Sequence, residues 1–515
     1  MGASISPPFL LDILVQSCLD KSMIELPSFD HIKDPEARAV IELLKVMLLN
    51  QQSLLEQQMA KIDELTRLLQ GPKSERIPSV QSELQKKSEP SEEEKRKKKE
   101  GSNRKRRKNK TKKKEAPVEE VHHTIPEEDL KCEHCGDTEF EPLGEGELSH
   151  EYKFIPAQVI QLRHIREKKM CQCKKTILTA PAPIRVGEVC HHGPELHAHV
   201  AVSKCQDSIP LHRMAGQFQR SNLQMSKSTL CDMFHRTAEQ LKPLYTRLME
   251  KIQQSELLNG DETRIQVQQK GKTRTAWMWT FLSTTMIGFV FSFSRSGNTP
   301  IEVLSGTTGK LQVDGYTGYN QVCLPEGRER VGCWAHARRK FFNALSTAPQ
   351  AEKALKLILE LYRVEYKMAE EECLQSERHI QFRKVLSRHW LDKLREWLLE
   401  RRDDTPPKSP FGQAVGYVLN QWEPLTRFVD DVRLPLDNNA AERALRPIAL
   451  GRKNFLFVGN DRAGQNLAVL QSLVSTCMAN GVNPQDYITD VLIRIQSHPM
   501  SRIDELLPMN WKPQA

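Results

Sequence analysis

One stretch of the sequence limits the possible folds more than any other. Residues 275–293, TAWMWTFLSTTMIGFVFSF, carry no charge over 19 positions, a length that would suit a membrane helix. Six of these residues are Ser or Thr, however, and large apolar side chains recur at every second position, first in 277–281 and again in 287–293. A period of two predicts two strands joined by a turn at 283–286, and it argues against a membrane span.

The chain around this stretch is long enough for several folded units. Its 515 residues give room for two to four compact units and a core of full size. The formal charge of +9 comes from 75 basic and 66 acidic residues, but residues 95–114 alone hold 14 Lys and Arg against one acid, Glu100. The excess positive charge is therefore concentrated in one basic tract, and it does not by itself identify a partner. Sparse cysteines and an apolar N-terminal stretch broken by Asp12 predict a cytoplasmic protein without a signal peptide.

The N-terminal region, residues 1–70, ends in a leucine-rich helix. Between positions 36 and 70 apolar residues recur every seven positions, at Ile41, Leu48, Leu55, Ile62 and Leu69. Gln51 and Gln58 interrupt the second apolar position of the heptad, and such residues can set the register of a coiled coil. The pattern favours a self-associating coiled coil, and hence a homodimer or higher multimer, over a helix packed on its own chain.

Residues 71–130 begin with Gly-Pro, are rich in Ser, Glu and Lys, and include the basic tract. They offer almost no apolar residues to bury, so we expect a disordered linker. In a protein that binds DNA elsewhere, such a linker would add affinity that is independent of sequence and falls with salt.

Paired cysteines mark residues 131–190 as a zinc-finger-like module. Cys132 and Cys135 form one pair, and Cys171 and Cys173 form the second. Four thiolates complete a closed tetrahedral zinc shell, which is structural and leaves no open position for chemistry. The second pair has C-x-C spacing, so four unconnected thiols are the alternative. Three other side chains could replace one thiolate: His134, His164 and Cys190.

Residues 191–250 are expected to be helical and to resemble a helix-turn-helix. Two short helical patterns within 211–240 flank a turn at Ser221–Asn222, and Ser226 can cap the second helix. Leu230, Met233 and Phe234 would then face inward, and four residues would face a DNA groove: Lys227, Ser228, Asp232 and His235. Generic paired helices would show the same pattern.

Three acidic residues stand at positions where strands and a helix would hold them. Asp261 shares a strand face with Ile265 and Val267, whereas Glu262 lies on the opposite face and reads as a supporting or surface residue. Asp314 ends a short strand and precedes Gly315. Glu442 lies one turn into a helix that Asp437, the less suitable metal ligand, would cap. Three carboxylates suit two Mg²⁺ or Mn²⁺ ions, which neutralise the attacking and leaving oxygens in phosphodiester cleavage.

Basic residues flank these acids. His336, Arg338 and Arg339 follow the second Asp in CWAHARRKF, where Trp334 reads as a core residue. After Glu442 come Arg443, Arg446, Arg452 and Lys453. These side chains are candidates for contacts with DNA phosphates, although a solvated basic helix explains them equally well.

Several long motifs, in order along the chain, resemble the transposases of the insertion-sequence-66 family. They are GPKSERIP at 71–78, the cysteine pairs, SKCQDSIPLHRMAGQFQRSNLQMSKSTL at 203–230, GDETRIQV at 260–267, VDGYTGYN at 313–320, CWAHARRKF at 333–341, DNNAAERALRPIALGRKNFLFVG at 437–459 and NGVNPQDYITDVL at 480–492. The C-x-C pair and the long basic tract depart from the family pattern.

The resemblance implies an α/β catalytic domain of ribonuclease-H-like fold, formed by 251–345 and 433–480, with a helical insertion at 346–432 and a helical tail at 481–515. It places the catalytic acids at Asp261, Asp314 and Glu442. It also implies cleavage at terminal repeats, strand transfer into target DNA, and companion proteins of the element as partners. The alternatives are a catalytically inactive DNA-binding regulator and a nuclease that does not transfer strands.

Overall fold

The computed structural model describes residues 159–170, 172, 177–183, 185–186 and 192–513. Three predicted features lie outside these residues: the coiled coil of 36–70, the linker of 71–130, and the proposed zinc ligands Cys132, Cys135, Cys171 and Cys173. No helix in the described part of the chain is long and apolar enough to span a membrane.

A two-stranded hairpin precedes the main body of the fold. Its strands, β1 (Lys168–Met170) and β2 (Ile177–Thr179), are antiparallel, with Lys168 opposite Thr179. All six residues of the two strands are exposed. The hairpin therefore buries none of its own strand residues.

Five further strands form the central sheet: β3 (Leu257–Gln269), β4 (Lys272–Leu282), β5 (Ile287–Ser292), β6 (Gly309–Gln312) and β7 (Arg328–Val331). Their order across the sheet is β5-β4-β3-β6-β7. β3, β4 and β5 are antiparallel neighbours, whereas β6 is parallel to β3 and β7 is parallel to β6. The long central strand β3 thus joins an antiparallel half of the sheet to a parallel half.

The uncharged stretch forms the end of β4 and all of β5, as its alternation predicts. The Ser283 N–H donates to the carbonyl oxygen of Met286 at 2.9 Å and closes the turn between the strands. Trp279, Phe281 and Phe289 are completely buried, and burial of each such side chain contributes roughly 1.5–3 kcal/mol.

Thirteen α-helices occur in the described residues. Three precede β3: α1 (Pro194–Cys205), α2 (Leu211–Arg220) and α3 (Lys227–Gln253). α4 (Asn298–Leu304) lies between β5 and β6. Six follow β7: α5 (Trp334–Ala344), α6 (Ala351–Glu370), α7 (Glu377–Phe382), α8 (Arg388–Asp403), α9 (Pro410–Asn420) and α10 (Trp422–Thr426). Three more complete the chain: α11 (Asn439–Phe455), α12 (Asp461–Ala479) and α13 (Pro484–Arg494).

The paired helices α2 and α3 agree only in part with the expected helix-turn-helix. Ser226 caps α3, because its hydroxyl accepts from the Thr229 N–H at 3.0 Å, and the three residues expected to face inward are buried. α3 is 27 residues long, however, and not the short second helix expected. The outward position expected for His235 is also wrong, since its ring is half-buried and contacts the Asn466 amide at 2.8 Å.

Helix α12 covers the edge strand β5. The Ser472 hydroxyl accepts from the Phe289 N–H at 2.8 Å, and the Thr476 hydroxyl accepts from the Ile287 N–H at 3.1 Å. An uncovered edge strand presents unpaired N–H groups to other chains. Two helix hydroxyls therefore take the place of a sixth strand at this edge.

The helices between β7 and α11 have an apolar core of their own. It includes six large buried side chains: Trp334, Phe341, Leu361, Trp397, Phe411 and Phe428. No strand occurs within 346–432, all of which the structure describes. A single π-helical segment, Arg383–Ser387, connects α7 to α8.

The buried Arg383 joins this helical region to the segment that leads to α11. Its guanidinium pairs with Glu365 at 2.7 Å and donates to the carbonyl oxygens of Phe428, Asp431 and Leu434. Arg383 thus ties residues 428–434 to helix α6.

Candidate active site

Strand register brings Asp261 and Asp314 to neighbouring positions. β3 and β6 pair in parallel from Leu257 to Asn259, with Asn259 opposite Gln312. Asp261 and Asp314 each lie two residues beyond this last pair. Because adjacent strands are about 4.8 Å apart and a two-residue step returns to the same face, the two aspartates extend from one side of the sheet.

Local backbone hydrogen bonds orient both aspartates. The Glu262 N–H donates to Oδ1 of Asp261 at 2.8 Å. The Tyr316 N–H donates to Oδ1 of Asp314 at 2.9 Å, and the Arg330 guanidinium donates to the carbonyl oxygens of Asp314 and Tyr316. Arg330 therefore holds the turn that follows β6.

Glu442 reaches the same area from the first turn of α11, a helix that packs on β3. Oε1 of Glu442 lies 3.4 Å from Nη2 of Arg339 and 3.7 Å from Nε2 of His336. Both of these residues lie on α5. Asp261, Asp314 and Glu442, which come from three distant motifs, thus lie in one region of the fold. Two of the predicted basic residues, His336 and Arg339, lie there as well.

Burial and neighbouring carboxylates disfavour ionisation of Asp261. Burial raises the pKa of Asp261 from its ordinary value of 3.8 to about 7, and the nearby carboxylates of Glu262, Asp314 and Glu442 raise it further, against the hydrogen bond from the Glu262 N–H. In the described part of the chain no three His, Cys, Asp or Glu side chains converge closely enough to hold a metal ion. The three acids therefore share an electrostatic field without forming a closed cage.

Burial disfavours the protonated form of His336 beside Glu442. Burial lowers the pKa of His336, which outweighs the opposite effects of Asp314 and Glu442. Its Nδ1 contacts Sγ of Cys333 at 3.2 Å. Burial raises the pKa of the Cys333 thiol to about 12, so this sulfur is a neutral packing partner of the ring.

Glu262 supports the site from a buried position and is not a surface residue. Its side chain is only 2% exposed and pairs with Arg295 at 2.9 Å. The Tyr319 hydroxyl donates to its other oxygen at 2.8 Å. Of the two roles open to Glu262 from the sequence, the supporting one matches this burial.

Trp334 has the position expected from the sequence, whereas Asp437 lies one residue before Asn438, the N-cap of α11. Oδ1 of Asp437 accepts from the Asn439 N–H at 3.2 Å, and Oδ2 accepts from the Tyr362 hydroxyl at 3.1 Å. Trp334 is fully buried, and its indole N–H donates to the carbonyl oxygen of Leu425.

The remaining basic candidates differ in exposure. Arg443, Arg446 and Lys453 are exposed. Their spacings of three and seven place them along one side of α11, progressively further along the helix from Glu442. Arg452 is half-buried, and its Nη1 donates to the carbonyl oxygen of Arg264 at 2.6 Å. Arg338 is only 5% exposed.

Lys227 and Ser228 lie on another element, at the start of α3. Both are exposed, and the Ser228 hydroxyl bonds to that of Ser226 at 2.7 Å.

Two clefts flank the acidic group. One of about 420 Å³ is lined by Glu262, Trp277, Arg295 and Arg452. The other, of about 670 Å³, is lined by residues that include Arg338, Arg339, Asp437 and Arg443. The first cleft contains Arg295 and Glu262, and Glu262 directly follows Asp261 in the chain. The second cleft contains Arg339, which contacts Glu442.

Sequence reasoning missed the polar residues that support these acids. They are Arg330, Tyr319 and three amide side chains, Asn259, Gln312 and Asn438, which contact the acids, each other or the backbone around the site. Tyr319 and Asn438 lie inside the motifs VDGYTGYN and DNNAAER, and Asn259 and Gln312 directly precede GDETRIQV and VDGYTGYN; none of these motifs marks Arg330.

A sequence profile described as the Transposase IS66 family matches residues 190–466, which is more than half of the chain. The chain belongs to this family. The IS66 C-terminal element matches residues 472–509 of this IS66-family protein. The zinc-finger binding domain of transposase IS66 matches residues 129–174, a range that includes all four paired cysteines. Membership of a transposase family with such a domain implies binding of DNA and zinc.

Three relatives from Sinorhizobium fredii align with most of this IS66-family protein. Uncharacterized protein y4hP is 31% identical over 420 residues, which cover 76% of this chain and 75% of the relative. Uncharacterized protein y4jD is 33% identical over 380 residues, which cover 70% and 74%. Uncharacterized protein y4qI is 30% identical over 402 residues, which cover 74% of each chain.

Proposed function

We propose that this protein is an Asp-Asp-Glu transposase of the bacterial cytoplasm, which cuts DNA at its element's terminal repeats and joins the freed ends to target DNA. One observation carries the proposal: strand register sets Asp261 beside Asp314, and Glu442 comes close enough to raise the pKa of Asp261. A ribonuclease-H-like fold for this part of the chain agrees with the sheet, in which three antiparallel strands are followed by two parallel strands on the other side of β3. The helices between β7 and α11 would then be the insertion between the second Asp and the Glu.

Mg²⁺ or Mn²⁺ is the proposed cofactor, held by Asp261, Asp314 and Glu442. The donor set fits these ions, because all three ligands are carboxylates, and burial together with three nearby carboxylates raises the pKa of Asp261. Magnesium commonly binds one or two carboxylates together with water and substrate phosphates, so a closed cage of three side chains is not required. When bound, the ions would neutralise charge on the reacting phosphate and lower the pKa of the attacking water.

The protein's own residues would hold the acids and the DNA in place. Arg339 pairs with the Glu442 carboxylate from α5, and His336 lies beside the same oxygen. Arg443 and Arg446, on the exposed side of α11, would bind the phosphates that flank the cut.

A structural zinc ion held by Cys132, Cys135, Cys171 and Cys173 completes the proposed cofactors, supported by the zinc-finger match over 129–174. A homodimer or higher multimer through 36–70, and companion proteins of the element, are the proposed protein partners.

The test is an assay with the terminal repeats of the element, Mn²⁺ and a target plasmid. We expect cut ends and joined products from the wild-type protein, and neither from Asp261→Ala, Asp314→Ala or Glu442→Ala, with DNA binding kept in all three. Glu302→Ala, which removes an exposed carboxylate on α4, is the matched control and should act like the wild type.

Each other outcome has a separate meaning. Cleavage by any alanine variant of the trio removes that residue from the catalytic set. A wild-type protein that binds the ends without cutting them would be a DNA-binding regulator. Pre-cut ends that yield no joined product, from a protein that cuts, would indicate a nuclease.

A further inference from the structure

Three amide side chains form a continuous hydrogen-bonded unit beneath the acidic residues. Nδ2 of Asn259 donates to Oε1 of Gln312 at 3.0 Å and to Oδ1 of Asn438 at 2.9 Å. Nδ2 of Asn438 donates to the carbonyl oxygen of Gly260 at 2.8 Å. This unit, which we call the amide triad, links β3, the end of β6 and the residue that precedes α11.

The triad has a fixed direction of donation. Both N–H groups of the Asn259 amide have acceptors, and Nε2 of Gln312 donates to the carbonyl oxygens of Gly332 and Pro435. Turning over any one of these amides would place two donors or two acceptors against each other. Asn438 is fully buried and Gln312 is 2% exposed, so a broken bond would not be replaced by bulk water.

Each member of the triad precedes one of the acids by a short, regular step. Asn259 comes two residues before Asp261, and Gln312 comes two residues before Asp314. Asn438 comes four residues before Glu442, which is about one helical turn. A bond between two amides therefore limits the distance between the two carboxylates that follow them.

We propose that the amide triad is a positioning device that sets the separation of Asp261, Asp314 and Glu442. The inference rests on the proposed function, since it assigns the triad a role in a carboxylate metal site. Asn259 joins the other two amides, and Asn438 connects the triad to the backbone beside Asp261, because it bonds both to Asn259 and to the Gly260 carbonyl. The triad residues are not ligands and do not touch the reacting atoms.

The decisive variant is Asn438→Asp, which keeps the size of the side chain and its acceptor for Asn259 but loses the donor to Gly260. Misplacement of reacting groups by about 1 Å can reduce rates about 100-fold. We expect the Mn²⁺ dissociation constant, measured by electron paramagnetic resonance, to rise at least about tenfold, and kcat for end cleavage to fall by 10- to 100-fold. KM for end DNA should stay within about twofold, because no DNA contact is removed.

Asn259→Ala gives a second route to the same result if the first variant does not fold. Asn259 is only half-buried, and its loss removes both bonds that join the triad. Asn454→Ala is the matched control: it removes an asparagine of α11 whose amide donates to the carbonyl oxygen of Ser208 at 3.0 Å, three turns from Glu442. Melting temperatures of all variants separate loss of alignment from loss of folding.

Wild-type values of kcat and Mn²⁺ affinity in both folded triad variants would overturn the inference and leave the proposed function intact. So would an equal effect in Asn454→Ala. A wild-type protein that binds Mn²⁺ but cuts no DNA would overturn the proposed function alone, and the affinity comparison would still decide the role of the triad. If Asp261→Ala binds Mn²⁺ as the wild type does, both proposals fail.

Discussion

Asp261→Asn should remove activity and, at the same time, stabilise the fold in a way that depends on pH. The pKa of Asp261 is about 7 in the folded protein and is ordinarily 3.8. Because the folded-state pKa is raised, folding is favoured while this group is protonated, and that stability is lost as the pH rises from about 4 to about 7. The asparagine side chain copies the neutral form and can still accept from the Glu262 N–H.

The size of the effect follows from the two pKa values. Each pKa unit corresponds to about 1.4 kcal/mol, so the ionised carboxylate costs up to about 4 kcal/mol at pH 8 and about 1.5 kcal/mol at pH 5. We expect Asp261→Asn to be more stable than the wild type by roughly 2–4 kcal/mol at pH 8, and by much less at pH 5. Catalytic groups are commonly held at such a cost to stability.

Melting temperatures of both proteins, measured without metal at pH 5 and pH 8, test this reasoning. Asp232→Asn, at an exposed position of α3, is the control and should show no pH-dependent gain. Added Mn²⁺ should raise the melting temperature of the wild type but not of Asp261→Asn, since only a bound ligand stabilises the folded state. The reasoning is refuted if Asp261→Asn is less stable than the wild type at pH 8, or if its gain is the same at both pH values.

Three further predictions concern other parts of the molecule. Arg383→Met should destabilise the helical region by about 3–5 kcal/mol, because it removes the buried ion pair with Glu365, whose remaining partner is His379, and the donor to three carbonyl oxygens; an unchanged melting temperature would contradict this. Arg443→Ala should weaken binding to all DNA sequences alike and reduce the slope of log affinity against log salt by about one; an unchanged slope would exclude a phosphate contact. Purified wild-type protein should contain about one zinc ion per chain by elemental analysis, and Cys132→Ser should lose it; zinc-free wild type after purification without chelator would rule out the site.

Local patterning was sufficient for several features of the fold and the site. Alternation in the uncharged stretch predicted β4, β5 and the turn between them, because a strand's two faces are set by adjacent residues. The cap of α3 by Ser226 was predictable for a similar reason, since a cap bonds to backbone only two or three residues away. Trp334 was also correctly expected in the core.

Features that depend on distant contacts were not predictable in this way. The exposure expected of His235 failed because Asn466, 231 residues later, packs against its ring. Arg338 and Arg339 look alike in the sequence, yet Arg338 is 5% exposed whereas the side chain of Arg339 is 40% exposed and contacts Glu442 at 3.4 Å. Helix periodicity predicts which face of its own helix a residue lies on. It does not predict which other parts of the chain pack against that face.

The sequence by itself determined the elements that carry the three acids, and family motifs marked which acids to choose. Tertiary structure decided how those acids relate to each other: the parallel pairing of β3 with β6 sets Asp261 beside Asp314, and the amide triad joins both strands to α11. The physical reason is the range of the interactions. Side-chain direction and helix capping act over a few residues, whereas register and buried hydrogen bonds link positions such as Asn259 and Asn438, which are 179 residues apart.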